Sequence, residues 1–219
     1  MAKSPLCGWK LERAARKLGF LRIAGLDEVG RGPMFGPVVA AAVIFPEVCR
    51  LPGLTDSKQL TEIQRNEFEV VIKASAVAWS ISVIDVEVID LINIRKASLL
   101  AMRTAVDRLA LSPDYLLIDG MDTIDWPCPQ QSVVQGDSTS KSIAAASVLA
   151  KVHRDRMLVE LDAVYPGYGL ARHKGYCSPE HMDALARLGP TPMHRKSWAP
   201  VAQTLLPFAE VDQVGEPAN

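Results

Sequence analysis

Ile23-Ala24-Gly25-Leu26-Asp27-Glu28-Val29-Gly30-Arg31-Gly32-Pro33 is an apolar run that stops at two adjacent carboxylates and passes directly into a glycine-rich turn. Side chains alternate between faces along a strand, so Asp27 and Glu28 share a site only if the strand ends there and the chain bends. Gly30 and Gly32 permit that bend, and without Cβ atoms they let another molecule approach the backbone. Arg31, between them, is a fixed positive charge able to fork onto a phosphate. Carboxylates for a hard metal, a bare backbone and a phosphate anchor together point to phosphodiester chemistry. A strand running into a charged surface turn is the plainer reading of any Asp-Glu pair. The glycine bracket and the second apolar strand, Val38 to Phe45, weigh against it here.

The same design recurs downstream. Tyr115-Leu116-Leu117-Ile118-Asp119-Gly120 is an apolar run that ends in a carboxylate, and ligands of α/β sheets gather at that C-terminal strand edge. Asp-Gly is equally a common turn. A short strand at Ser132-Val133-Val134 leads through Gly136-Asp137-Ser138 into a long helix rich in small residues, capped by Ser138 or Ser140. Small residues suit close helix–sheet packing. Asp137 is placed to cap that helix, stabilised by its dipole. Asp155 pairs with Lys151 at i,i+4 or with a neighbouring arginine.

Other elements follow from local rules. Residues 9–18 suit a short basic helix with Trp9, Leu11, Ala14 and Leu18 near one face. Thr61 and Gln64 have capping-box spacing for a helix to about Ala74. A strand is expected over 77–84. A helical period over 86–110 breaks near 90–93 and resumes at Ile94 with Asn93 as cap. Arg95, Lys96 and Arg103 fall on a solvated face. Tyr165 to Gly169 breaks the long helix, and another runs from Ser178-Pro179 to Leu188.

Taken in order, these blocks resemble the type 2 ribonucleases H (ribonuclease HII), over roughly residues 20–200. The resemblance rests on Asp27-Glu28-Val29-Gly30-Arg31-Gly32-Pro33, Asp56-Ser57-Lys58-Gln59-Leu60, Asp119, Asp137 ahead of the Ser142 to Val152 block, His173-Lys174-Gly175-Tyr176 and His194 to Trp198. It implies a ribonuclease H-like mixed β-sheet flanked by helices, with a helical C-terminal part. It also implies that Asp27, Glu28, Asp119 and Asp137 are the catalytic, metal-holding acids. Oxygen-only ligation favours Mg²⁺ or Mn²⁺, two ions roughly 3.5–4 Å apart serving in-line hydrolysis. By the same resemblance Gly30, Arg31 and Gly32 read the ribose 2′-hydroxyl, Lys58 faces the nucleic-acid backbone, and Tyr176 packs on the nucleotide at the RNA-to-DNA step, with Tyr168 as its rival. His194 to Trp198 holds a phosphate or packs the last helix. The implied reaction cuts RNA in RNA–DNA hybrids and on the 5′ side of single ribonucleotides in DNA. It leaves 5′-phosphate and 3′-hydroxyl ends and serves ribonucleotide and primer removal.

Composition bounds the rest. The 219 residues suffice for one domain, expected over 20–200, with a basic extension at 1–19 and an acidic tail at 201–219. Net charge is −1, but basic flanks surround an acidic middle, which suits a metal site that meets a polyanion. Cys7, Cys49, Cys128 and Cys177 are scattered, so zinc is not expected and reduced thiols are. With no apolar run of spanning length, the expectation is a cytoplasmic monomer without membrane contact. Gln203-Thr204-Leu205-Leu206-Pro207-Phe208 resembles short peptides that bind bacterial sliding clamps. Two other readings stay open: another metal nuclease of this fold, or a hybrid-binding protein without catalysis.

Overall fold

The computed structural model describes residues 7–205. Helix α1 (Lys10–Lys17) leads into strands β1 (Ile23–Val29) and β2 (Val38–Ile44), followed by α2 (Glu62–Ser75) and β3 (Ala78–Ile84). Helices α3 (Val86–Ile92) and α4 (Ile94–Asp107) precede β4 (Tyr115–Asp119) and β5 (Gln130–Val133). The long α5 (Lys141–Val164) is followed by α6 (Leu170–His173), α7 (Pro179–Leu188) and α8 (Ala199–Thr204). The strands form one sheet in the order β3-β2-β1-β4-β5, antiparallel from β3 to β1 and parallel from β1 to β5. The expected mixed sheet flanked by helices is what the chain forms.

The sheet is covered on both faces. Val38, Ala40, Ala42 and Ile44 of β2 pack with Ala97, Ala101 and Ala105 of α4. Val39, Ala41 and Val43 face Ala144, Ala145, Val148 and Leu149 of α5. A strand buried on both sides reads as a continuous apolar run rather than an alternation, which is why β2 carries no polar residue. Helix α5 lies so close to β1 that a Cβ on Gly25 would overlap the backbone of Ser142 and Ile143. The small-residue stripe and Gly25 serve the same close approach.

Local chemistry sets the boundaries. Thr61 and Gln64 form the reciprocal capping box of α2. Asn93, at φ 70°, ends α3 and accepts from the Lys96 amide to start α4. Of the two serines before α5, Ser140 is the cap, accepting from the Ile143 amide. Ser178 caps α7, with Pro179 in its first turn.

Three expectations change. The buried face of α1 carries Glu12 and Ala15, while Ala14 and Leu18 are exposed. Glu12 turns inward because its carboxylate accepts from the Ser142 amide and from the hydroxyls of Ser140 and Ser142, at the positive end of α5. Strand β1 continues through Glu28 to Val29, so no bend brings the acid pair to one face. The start of the expected acidic tail is helical: α8 runs to Thr204 and buries Val201.

Candidate active site at the edge of the sheet

Strands β1 and β4 run side by side, Leu26 beside Ile118, and carry Asp27 and Asp119 one residue later, Asp119 as the last residue of β4. The pleat turns Asp27 toward α5 and Glu28 toward the α4 side. Asp137 arrives from a turn of 3₁₀ helix, Gly136–Ser138, just before α5. That turn is tied to β4 by the Gly136 amide, which donates to Asp119 Oδ1 at 2.7 Å. Lys58 stands on another short 3₁₀ turn, Ser57–Gln59, pinned by a 2.9 Å hydrogen bond between the hydroxyls of Ser57 and Ser147.

The four acids feel one another. Burial, then the charges of Glu28 and Asp119, hold Asp27 well above the usual carboxylate range. Burial raises Glu28 as well, with Asp119 adding and Arg31 opposing. Asp137 is pushed up to about 6 by burial and by Asp119 and Asp56, against Lys58. Desolvation is the largest single effect on Lys58 and lowers it, but the charges of Asp56, Asp137, Asp27 and Asp119 together raise its pKa. Its ammonium lies 3.8 Å from Asp137 Oδ2 while its side chain stays largely exposed. Oε2 of Glu28 is buried without a hydrogen-bond partner.

The carboxylates do not close into one cage. Among the described residues no three His, Cys, Asp or Glu side chains are arranged to hold a metal ion. Each acid is instead held locally: Asp27 by the Glu28 amide at 2.7 Å, Glu28 by Arg31 Nη1 at 3.0 Å, Asp119 by Gly136 and Asp137 by Lys58. The donor set, all carboxylate oxygens with one buried oxygen unpartnered, fits a hard divalent cation. Arg31, expected to be free for a phosphate, rests on Glu28. Asp122 and Asp125 pair with Arg95 and Arg103, and Asp122 and Arg95 line a small pocket together with Glu28, Arg31 and Asp119.

The glycine turn is built in a way its sequence does not announce. Each carbonyl from Gly30 to Pro37 accepts a hydrogen bond. Arg195 takes four: Gly30 at 2.6 Å, Arg31 at 3.1 Å, Pro33 at 2.6 Å and Gly36 at 2.9 Å. Arg154 takes Phe35 and Pro37, both at 3.0 Å, Trp198 takes Gly32, and the Arg195 amide takes Met34. With the carbonyls turned inward, the exposed Arg31 and Gly32 amides find no acceptor among the described residues. Gly30, at φ 95°, leaves no room for a Cβ against Arg154, so glycine is required there twice over.

Arg154 and Arg195 are fully buried with no carboxylate partner among the described residues. Burial lowers them to about 10 and about 9, and both remain charged at neutral pH. Arg195 therefore holds no phosphate; its guanidinium is spent on backbone. Arg154 was not foreseen at all. Its signal was the buried helical spacing Ser147, Ala150, Arg154, Leu158, which puts a charge on the inward stripe of α5.

Arg154 also donates to the Lys174 carbonyl, and the Met34 amide donates to Gly175, so the segment before Tyr176 is stitched to the glycine turn. A Cβ on Gly32 would sit 3.4 Å from Tyr176 Cε1. Tyr176 is 48% exposed beside the turn. Tyr168 is 5% exposed and donates to the Gly189 carbonyl, which makes it a packing residue. Gln203 and Leu205 are exposed at the end of α8, while residues 206–208 of the clamp-like peptide lie outside the described residues. No helix of the described residues is long and apolar enough to cross a membrane.

A family model described as ribonuclease HII matches residues 24–201. A ribonuclease HII of Geobacter sulfurreducens is 52% identical over 197 residues, covering 90% of this chain and 91% of that one. Among solved structures, the ribonuclease H2 from Pyrococcus horikoshii superposes with a TM-score of 0.73 at 24% identity, covering 84% of this chain and 97% of that one. The RNase HII in a complex with PCNA from Archaeoglobus fulgidus gives a TM-score of 0.70 at 25% identity, covering 81% and 95%.

Proposed function

Because the chain belongs to the ribonuclease HII family and is an endoribonuclease of the ribonuclease H type, we propose that it cuts RNA–DNA hybrids and, in duplex DNA, the 5′ side of single ribonucleotides. The products carry 5′-phosphate and 3′-hydroxyl ends. The observation that carries this reading is the meeting of two surfaces at one sheet edge. One is a set of mutually repelling carboxylates; the other is a turn that offers bare amides beside an exposed tyrosine.

Ribonucleases H are metal-dependent. In this reading Asp27, Glu28, Asp119 and Asp137 hold two Mg²⁺ or Mn²⁺ ions. Bound there, the ions supply an activated water and stabilisation of the leaving 3′ oxygen. The chain's own residues do the rest. The amides of Arg31 and Gly32 donate to the ribose 2′-hydroxyl, the group that separates RNA from DNA. Tyr176 packs on the sugar next to it, and the missing Cβ of Gly32 leaves space for that sugar. Lys58 and Arg31 meet flanking phosphates, Arg31 exchanging Glu28 for the substrate. In this reading the enzyme works in the cytoplasm as a monomer, on ribonucleotides left in DNA and on RNA primers. The Archaeoglobus complex with PCNA supports a sliding clamp as partner for residues 203–208.

The test is duplex DNA with one ribonucleotide, labelled at the 5′ end, supplied with Mn²⁺ or Mg²⁺. The expected result is a single cut 5′ of the ribonucleotide, lost in Asp27→Asn and Asp119→Asn. Cutting of continuous hybrid only would remove the roles of Gly30 to Gly32 and Tyr176.

A further inference from the structure

Three of the four histidines cluster behind Tyr176, and their hydrogen bonds admit one protonation pattern. The Thr191 amide, a donor only, bonds His194 Nδ1 at 3.0 Å, so that nitrogen is bare and the proton is on Nε2. His181 Nδ1 lies 2.9 Å from the Tyr176 carbonyl, an acceptor only, so it carries its proton and Nε2 is bare. The two Nε2 atoms are 3.2 Å apart, and the proton of His194 meets the lone pair of His181. A one-way chain results: the Thr191 amide to His194, His194 to His181, His181 to the Tyr176 carbonyl. His173 stacks on His181 and is fixed likewise, accepting from the Gly175 amide and donating to the Tyr168 carbonyl. His181 and His194 are fully buried.

The chain begins one residue from Arg195. From one backbone step, therefore, Arg195 holds the glycine turn by four carbonyls, and His194 holds Tyr176 through His181. We propose that the His194–Arg195 step fixes the gap between Gly32 and Tyr176, making His181 and His194 positioning residues that set specificity for a ribonucleotide embedded in DNA. This rests on the proposed role of Tyr176 at the sugar. Neither histidine touches substrate. Each acts through the tyrosine, and only in the tautomers given. A doubly protonated His181 points a proton at a proton and opens the chain.

The experiment is a double-mutant cycle on DNA containing one ribonucleotide, run well below the melting transition of every variant. His194→Leu removes the chain; His194→Gln keeps a donor near the Nε2 position and serves as the folding control. The expected result is that His194→Leu lowers kcat/KM about tenfold while His194→Gln stays within about twofold. In a Tyr176→Ala background, His194→Leu then adds less than about twofold, because the group it positions is gone. Full multiplication of the two losses would overturn the proposal and leave a structural role only. Tyr176→Ala without effect would overturn the reading of Tyr176 and the proposal with it. Tautomers read independently from ¹⁵N shifts tell the two failures apart. The chain requires His181 protonated on Nδ1 and His194 on Nε2 at pH 7, and the reverse assignment refutes it.

Discussion

The acidic edge and the arginine–histidine brace are both buried and polar, but they are completed differently. Around Gly30 to Pro37 every inward group has a partner: two guanidiniums without acids are satisfied by carbonyls, and two histidines by each other and by backbone. At the ends of β1 and β4, carboxylates face carboxylates, and Glu28 keeps a buried oxygen unpartnered. Desolvated charge is tolerable when fully hydrogen-bonded and costly when it meets its own sign. The brace is therefore finished within the chain. The edge is suited to hold a cation. The pairing gives a division of labour: one region sets geometry, the other reacts.

The most severe test of this contrast is Asp119→Asn. It should lower kcat about 10³-fold in a steady-state cleavage assay. The same change should raise the melting temperature of the metal-free protein by a few degrees, since it removes a repelling charge. Loss of activity together with loss of stability would put Asp119 in the brace's class.

Arg195→Met comes next. Four carbonyls, three of them buried, lose their donor, and about 3–4 kcal/mol of stability should go with them, read by urea unfolding. A change below 1 kcal/mol would mean that the turn holds itself.

Gly32→Ala sharpens the comparison, because its φ is unstrained and the added Cβ only approaches Tyr176. Melting should stay within about 1 °C, while kcat/KM on a single embedded ribonucleotide falls at least about tenfold. Equal losses of stability and activity would deny that the space is kept for a sugar.

The smallest effect is in pH dependence, and the two regions oppose each other. Burial lowers His181 and His194 to about 4, so their stabilising effect is full above the unfolded value near 6.5 and is lost as pH falls toward 4. Asp27, Glu28 and Asp137 are raised, so the edge gains stability as pH falls through the folded value of Asp137, about 6, toward the unfolded values near 4. In chelator, Asp27→Asn lacks much of the second effect. Its stability should fall more steeply than that of the intact protein between pH 6 and pH 4, by about 1–2 kcal/mol. Parallel curves would show that the acids do not interact.

Most of the fold was legible because its signals are local. The capping box at Thr61, the stop at Asn93, the apolar runs ending at Asp27 and Asp119 and the break after Val164 all act within a few residues. Asp27 and Glu28 were legible where an apolar run stops, Asp119 at the end of its strand and Asp137 ahead of its helix; Tyr176 was read only from the family motif. Where the chain departs from the reading, long-range pairing is responsible. Arg195 looks like a phosphate ligand until Gly30 to Gly36, more than 150 residues away, supplies the carbonyls. Glu12 looks solvated until the start of α5 claims it. Strand β1 runs past its acids because β2 keeps pairing as far as Val39. Asp27 and Glu28 are thus split across the sheet rather than gathered on one face.

The most direct measurement of the central claim is calorimetric titration of Mn²⁺ into the metal-free protein at pH 6 and pH 8, in buffers of different ionisation enthalpy. If the edge is a set of carboxylates held partly protonated by burial and by one another's charge, Mn²⁺ binding releases protons at pH 6 and far fewer at pH 8. Asp27→Asn and Asp119→Asn should then weaken binding at least about tenfold. Binding without proton release at pH 6, undiminished by either substitution, would contradict the account.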